Sequence, residues 1–381
     1  MHFDLSEERQ MLADTASRFI ADRYDIQTRH ENAKRDEGFN RDTWAQFADL
    51  GLIGALLPPD VGGFGGTGED IAVVFEKLGN GLVVEPFLAS GVLGAHPIVA
   101  AGTEAQKALL EDVIAGTLLL ALAHGEPDSR YETARVSTRA ERSGEGWRID
   151  GAKAVVINGD SADKLVVSAR TSGNVDSEDG ITLFLVDADA AGVKRRGYGT
   201  VDGGRAAEIT LDGASVPDDA VIAKPGEGFA VLEATCARGI AALAAEAFGA
   251  MEVSRNLTLD YLKTRRQFGR AIGDFQALQH RMVDITLEIE QARSAVLLAV
   301  STLDGDRLTR ELNASAAKNL IGRVARLVAE EAIQLHGGIA MTWEYALGHY
   351  AKRLTMIDHQ LGDTDYHLAR YIALSQKAAA A

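Results

Sequence analysis

The chain is 381 residues long, 46% hydrophobic and 25% charged, with a net charge of −16, the balance of an ordinary globular protein of two or three packed units. That acidity excludes general nucleic-acid binding, which needs clustered lysine and arginine, and a single cysteine, Cys236, excludes an intrachain disulfide. No apolar run is long enough to span a bilayer, and the opening MHFDLSEERQ lacks the basic-then-apolar pattern of a secretion signal, so a cytoplasmic location without membrane insertion is the expectation.

Residues 1–118 read as a helical domain. LSEERQMLADTASRFIADRY has apolar residues at helical spacing, with Ser6 as N-cap. TWAQFADLGLIGALL is a second helix, stopped by the proline- and glycine-rich LPPDVGGFGGTGED, and EDIAVVFEKLGNGL is a third. From 119 to 226 the periodicity falls to two. TLLLALAH, WRIDGAKAVVI, KLVVSAR, ITLFLVD and AAEITLDG are strands separated by turn residues, which together read as a small antiparallel barrel or sandwich. From 227 to 381 helices return as a four-helix set. The first is long and alanine-rich, so its flank is expected to pack closely on other helices, and Cys236 within it has a packing role rather than a nucleophilic one. The order gives an α+β chain with a β insert.

The chemistry-bearing residues cluster in the last third. KTRRQFGRAIGDFQALQH (263–280) joins two helices, and QLHGGIAMTWEYALGHYAKR (334–353) follows. Arg265 offers fixed positive charge and forked donors suited to a diphosphate. Phe268 offers a flat apolar face, Gln267 and Gln276 offer uncharged hydrogen bonds, and Gln334 adds an amide beside Gly337 and Gly338, where a second backbone can come close. Read without further context, Arg265 and Arg266 are a solvated helix end and the glycines a helix cap.

The ordered set resembles the acyl-CoA dehydrogenase family over essentially the whole chain. Besides the two runs above, LLPPDVGGFGG and the middle stretch GWRIDGAKAVVINGDSADKLVVSAR fit it. The resemblance implies an N-terminal helical domain, a middle β domain and a C-terminal four-helix bundle. It also implies flavin adenine dinucleotide (FAD), bound by Arg265, Gln267, Phe268, Gln276, Gln334, Gly337, Gly338 and Thr364. The implied reaction removes two hydrogens from an acyl-CoA thioester to give the trans-2-enoyl-CoA, with electrons passed to an electron-transferring flavoprotein. The middle domain departs from the family pattern. An aromatic and a hydroxyl residue flank the flavin in many members, and Val155 and Ile157 stand at those positions here. Gly125, Glu126 and Pro127 resemble the family's Thr-Glu-Pro segment.

Taking a proton from the carbon beside a thioester needs a carboxylate whose pKa is raised by desolvation. The position at which many members carry that glutamate falls at Leu361 or Gly362, with Asp363 just beyond. The alternative family position falls at Gly239. Seven residues after Gly239, on the same side of a helix, Glu246 sits in the apolar LAAEAFGA and is the candidate base. Two other readings stand beside it: Glu246 pairs with a basic residue across the bundle, or the chain has no base and a partner supplies it. Unlike-subunit members of the family work that way, and HYAKRLTMIDHQLGDTDYHLARY resembles their partner chains, such as the small subunit of pimeloyl-CoA dehydrogenase. The expectation is thus an acyl-CoA dehydrogenase, as a homotetramer or as a heterotetramer with a second acyl-CoA dehydrogenase-like subunit. The alternatives are a cofactor-holding partner subunit, or a flavin monooxygenase or oxidase on the same fold. DHQLGDTDYH (358–367) is rich in aspartate and histidine, but these do not share a helical face, so no metal is expected.

Overall fold

The computed structural model describes residues 5–380; residues 1–4 of MHFDLSEERQ and Ala381 of the alanine tail lie outside the described residues. In chain order the helices of the first third are α1 (Glu7–Arg23), α2 (Ile26–Ala33), α3 (Arg41–Asp49), α4 (Gly68–Gly81), α5 (Ala95–Ala101) and α6 (Glu104–Ile114). The strands are β1 (Leu120–Ala123), β2 (Arg139–Ser143), β3 (Gly146–Ile157), β4 (Lys164–Arg170), β5 (Ile181–Asp187), β6 (Val193–Gly199), β7 (Arg205–Pro217) and β8 (Val221–Ile222). There follow α7 (Phe229–Thr264), the hairpin β9 (Arg266–Gln267) and β10 (Arg270–Ala271), α8 (Gln276–Ser301), α9 (Arg307–His336), α10 (Leu347–His359) and α11 (Thr364–Ala380). Among the described residues, no helix is long and apolar enough to cross a membrane.

The chain divides into two compact units. One comprises Met1–His30, Gly68–Val83 and Ile240–Ala381 and is helical. Ser6 caps α1 by accepting from the Arg9 N–H. In this unit α1 packs on α4, α4 on α8, and α8, α10 and α11 each pack on α9. The apolar seam contains Ile285, Ile289, Ile321, Val324, Val328 and Leu354, all buried. The alanine-rich flank of α7 does what its composition predicts. A Cβ on Gly79 would lie 2.0 Å from the Glu246 carbonyl oxygen, and one on Gly249 would lie 2.1 Å from that of Glu76. Glycine is therefore obligatory on both faces of the α4–α7 crossing.

The other unit comprises Glu31–Thr67 and Val84–Gly239. Its sheet runs β6-β7-β3-β2-β4-β5-β8, with β1 beside β4. The alternating pattern reads as antiparallel throughout, whereas β1 and β2 each pair parallel with β4. Trp147 and Phe184 meet edge-to-face at 5.5 Å in the core. Two strands carry no apolar alternation, β2 (RAERS) and β6 (VKRRGYG), and both are largely exposed. TWAQFADLGLIGALL is not one helix. It breaks after α3, because Gly51 takes φ +78° and a short 3₁₀ turn, Gly54–Leu56, follows.

Candidate functional site

In the helical unit, α7 ends at Thr264 and the chain reverses through β9 and β10, which pair Gln267 with Arg270 and Arg266 with Ala271. The two tip residues, Phe268 and Gly269, have φ +53° and +82°. Consecutive positive φ values are those of the two-residue turn that matches strand twist. For phenylalanine this conformation is disfavoured, and it leaves the ring 89% exposed. Arg265, Arg266, Gln267, Arg270 and Gln276 are exposed around it, and Arg270 lies over the Phe275 ring at 4.0 Å.

α9 ends in a second candidate segment. His336 is buried. One ring nitrogen bonds the Ala332 carbonyl at 2.8 Å, the other bonds the Tyr345 hydroxyl at 3.0 Å, and the ring stacks on Tyr261 at 4.5 Å. Beyond it Gly337 turns at φ +69°, and a Cβ on Gly337 or Gly338 would meet nothing. At Gly337 the backbone angle selects glycine, and the space above both glycines is open. Gln334 is exposed on the preceding turn. This donor set (exposed guanidiniums, neutral amides, a bare aromatic face and a glycine pair with open space) has the chemistry that a dinucleotide requires.

The candidate base is occupied. Glu246 on α7 is 5% exposed, and both its carboxylate oxygens accept from Arg353 on α10: Nε to Oε1 at 2.5 Å and Nη2 to Oε2 at 2.6 Å. This is the forked geometry of a strong bidentate pair. Arg353 extends it through Nη1 to Gln360 Oε1 at 3.1 Å. Gly239 carries no acid, and Leu361 (φ +57°) and Gly362 (φ +106°) form the turn between α10 and α11.

Asp358, Asp363 and His367 of DHQLGDTDYH each have a separate structural engagement. Asp358 accepts from the Thr364 N–H and hydroxyl, so the hydroxyl expected to face a cofactor is committed to a carboxylate. Asp363 accepts from the Tyr366 N–H, and His367 is buried against the Leu361 carbonyl at 2.9 Å, its pKa pushed down to about 3 chiefly by burial. Among the described residues no group of three or more His, Cys, Asp or Glu is arranged to hold a metal ion.

In the sheet unit, the Gly125-Glu126-Pro127 segment follows β1 and is anchored by a buried ion pair. Lys153 of β3 is 1% exposed and donates to Glu126 Oε1 at 2.7 Å, Ser168 Oγ at 3.1 Å and the His124 carbonyl at 3.2 Å. Glu126 also accepts the Ser137 and Thr138 N–H groups at 2.7 and 3.0 Å. Burial pushes the Lys153 ammonium down to about 8, with Glu126 opposing it. Burial alone would raise Glu126, but Lys153 and the Thr138 bonds outweigh it and hold the carboxyl below its usual range. Burial and then Lys153 push His124, bonded to Ser168 Oγ at 2.9 Å, down to about 3. Two residues on, β3 bulges between Lys153 and Val156, and Ala154 N–H bonds the Gly125 carbonyl at 2.8 Å. The bulge holds Val155 at φ +53° with the residue 58% exposed. Ile157 is half-buried.

Lys153, His124, Lys318 and Arg353 escaped the sequence reading. A lysine at an inward strand position, two residues before the Val155 bulge, is the one local signal for any of them.

A helical segment, a mixed sheet and a helical bundle carrying these segments in this order define a flavin-dependent acyl-CoA-oxidising class of protein. The comparisons agree. The acyl-CoA dehydrogenase N-terminal, middle and C-terminal domain families match residues 6–117, 121–213 and 226–372. The chain belongs to the acyl-CoA dehydrogenase family, whose members are oxidoreductases that bind FAD. The chain is 30% identical to acyl-CoA dehydrogenase IpdE2 of Mycobacterium tuberculosis over 91% of each chain. It is 27% identical to the CarC subunit of the caffeyl-CoA reductase–Etf complex of Acetobacterium woodii, covering 89% of this chain and 90% of that one. Among solved structures, a variant of the steroid ACAD Tcur3481-Tcur3483 superposes with a TM-score of 0.89 at 30% identity, covering 98% of this chain and 99% of that chain.

Proposed function

We propose that this chain is the FAD-holding subunit of an acyl-CoA dehydrogenase assembly whose α-proton base comes from a second, unlike acyl-CoA dehydrogenase-like subunit. The observation that carries this reading is the bidentate Glu246–Arg353 pair. A general base must be free to take a proton. Both oxygens of this carboxylate already accept charge-assisted bonds from Arg353, so it is engaged as an ion-pair partner rather than open to a substrate carbon. The other two family positions carry Gly239 and Leu361 or Gly362. The relatedness to a steroid ACAD named for two proteins supports an assembly of unlike chains.

In this proposal Arg265 binds the cofactor diphosphate, Phe268 covers a ring face, and Gln267, Gln276 and Gln334 supply neutral hydrogen bonds. Gly337 and Gly338 let the backbone approach, and Thr364 lines the site through its methyl because its hydroxyl is committed to Asp358. Bound FAD supplies the acceptor for the substrate's β-hydride. Electrons leave to an electron-transferring flavoprotein, in line with the Etf complex to which the relative CarC belongs. The division into domains 1–118, 119–226 and 227–381, a heterotetramer and a cytoplasmic location belong to the same proposal.

The test is to purify the chain alone and co-expressed with acyl-CoA dehydrogenase-like genes beside its own, then add acyl-CoA esters anaerobically. The expected result is flavin in the assembly and bleaching of its absorbance only with the second subunit present. Full bleaching by the chain alone would overturn the partner-base reading, and an assembly without flavin would overturn the cofactor assignment.

A further inference from the structure

The turn 360–363 is held from three helices. Lys318 on α9 is wholly buried and donates to the Asp358 carbonyl at 2.8 Å and to the Gly362 carbonyl at 2.6 Å. His367 on α11 meets the Leu361 carbonyl at 2.9 Å, and Arg353 on α10 reaches Gln360 Oε1 at 3.1 Å. Between these anchors Leu361 sits at φ +57°, a region disfavoured for a residue with a branched side chain. A Cβ on Gly362, at φ +106°, would lie 2.4 Å from His367 Nε2. The last carbonyls of a helix need donors from elsewhere, and a buried ammonium needs acceptors. Here each satisfies the other.

We infer that Lys318 is a positioning residue for this turn, fixing the backbone that presents Leu361 where related chains present a carboxylate. The turn is closed from below by the two carbonyl bonds and from the side by His367. That Leu361 stands beside the acyl-CoA thioester rests on the function proposed above; that Lys318 holds the turn does not. The turn is therefore a rigid seat for one side chain, and the identity of that side chain decides what the seat contributes.

The experiment is hydrogen–deuterium exchange on the full purified chain. Lys318→Met keeps the length and packing of the side chain and removes both donors. Exchange at 361–364 should rise by about tenfold or more while α9 amides change by less than about twofold. Unchanged exchange in the turn overturns the inference. Should that variant not fold, the wild-type chain decides the matter through its pH dependence. Burial pushes Lys318 down to about 8, while the carboxylates of Asp358 on α10 and Asp363 in the turn attract it. His367 on α11, pushed down to about 3, stays neutral above neutral pH. Opening the turn hydrates Lys318 and lets it take up a proton. Raising the pH above about 8 therefore disfavours opening, by up to about tenfold per pH unit after correction for intrinsic exchange. A flat corrected profile would show that Lys318 is not coupled to the turn. If exchange behaves as expected and the chain alone still bleaches its flavin with acyl-CoA, the proposed function fails and the role of Lys318 stands.

Discussion

Replacing Glu246 by glutamine leaves the Arg353 guanidinium facing an amide. Glu246 is 5% exposed and the Arg353 side chain 15%, so the pair is largely withdrawn from water. Removing one member of a buried ion pair costs about 3–5 kcal/mol. Two features of this site reduce that figure. Glutamine keeps the shape and one acceptor oxygen, and Arg353 retains Gln360 at 3.1 Å. A loss of about 2–3 kcal/mol is expected, because one charge-assisted bond is lost outright and the second is weakened. For a chain of this size that lowers the melting temperature by roughly 3 °C. The assay is calorimetry on the flavin-loaded assembly, run as a double-mutant cycle with Arg353→Met. The double variant should recover much of the loss, because neither charge is then left unpaired. A different pattern would refute the reasoning. If Glu246→Gln melts within about 1 °C of wild type, keeps its flavin and yet loses turnover by about 10³-fold, the carboxylate does chemistry and the ion pair is incidental.

On the proposed function, Leu361→Glu should confer partner-independent bleaching of the flavin by acyl-CoA, because it places a carboxylate on a turn already held at φ +57°; wild-type and variant chains purified alone are compared, and no gain counts against this turn as the base position. Lys153→Met should destabilise the chain by about 3 kcal/mol or more by stranding Glu126 in the sheet unit, and the check is chemical denaturation, with Lys153→Met/Glu126→Gln expected to recover part of the loss. Acid sensitivity should come partly from His124 and His367. Both are held neutral in the fold, down to about 3, whereas the unfolded chain protonates them below about 6.5. Their contribution is complete above about pH 6.5 and is lost as pH falls towards 3, at about 1.4 kcal/mol per pH unit for each histidine. His367→Gln should flatten that slope in a melting series, and an unchanged slope would exclude His367 as a source.

The helices and most strands were legible because their apolar residues follow one period each. The α7 flank was legible as well, since a run of alanines with Gly249 can serve only close packing, and Gly79 on α4 meets it from the other side. What the period could not reveal were β2 and β6, whose exposed charged residues hide their extension, and the break after α3, which depends on one glycine taking a positive φ. At the site, exposed arginines and paired glycines announced themselves through composition. The state of Glu246 did not, because its partner lies 107 positions away on another helix. An isolated glutamate among alanines reads the same whether it is a base or half of an ion pair, and only the position of Arg353 separates the two. The engagement of the Thr364 hydroxyl by Asp358 was hidden for the same reason, since it depends on how the turn closes.

Three buried charged devices remain to be explained together: Lys153–Glu126 in the sheet unit, and Glu246–Arg353 and Lys318 in the helical unit. Apolar side chains of the same volume would stabilise each fold at least as well, since burying ions costs several kcal/mol before any pairing is counted. What ions add is direction. A guanidinium or ammonium fixes particular oxygens in particular places, where a methyl group accepts many arrangements. Each device here ends on backbone or side chains of a turn: Lys153 at the Gly125-Glu126-Pro127 segment, Arg353 at Gln360, Lys318 at Gly362. Two of these turns hold a residue at positive φ or abut a bulge that does, Leu361 and Val155. In the helical unit that direction falls on the turn at Leu361, which Lys318 and His367 hold at φ +57°. It also makes the gain expected from Leu361→Glu a fair test, because the backbone at that position is already held by Lys318 and His367.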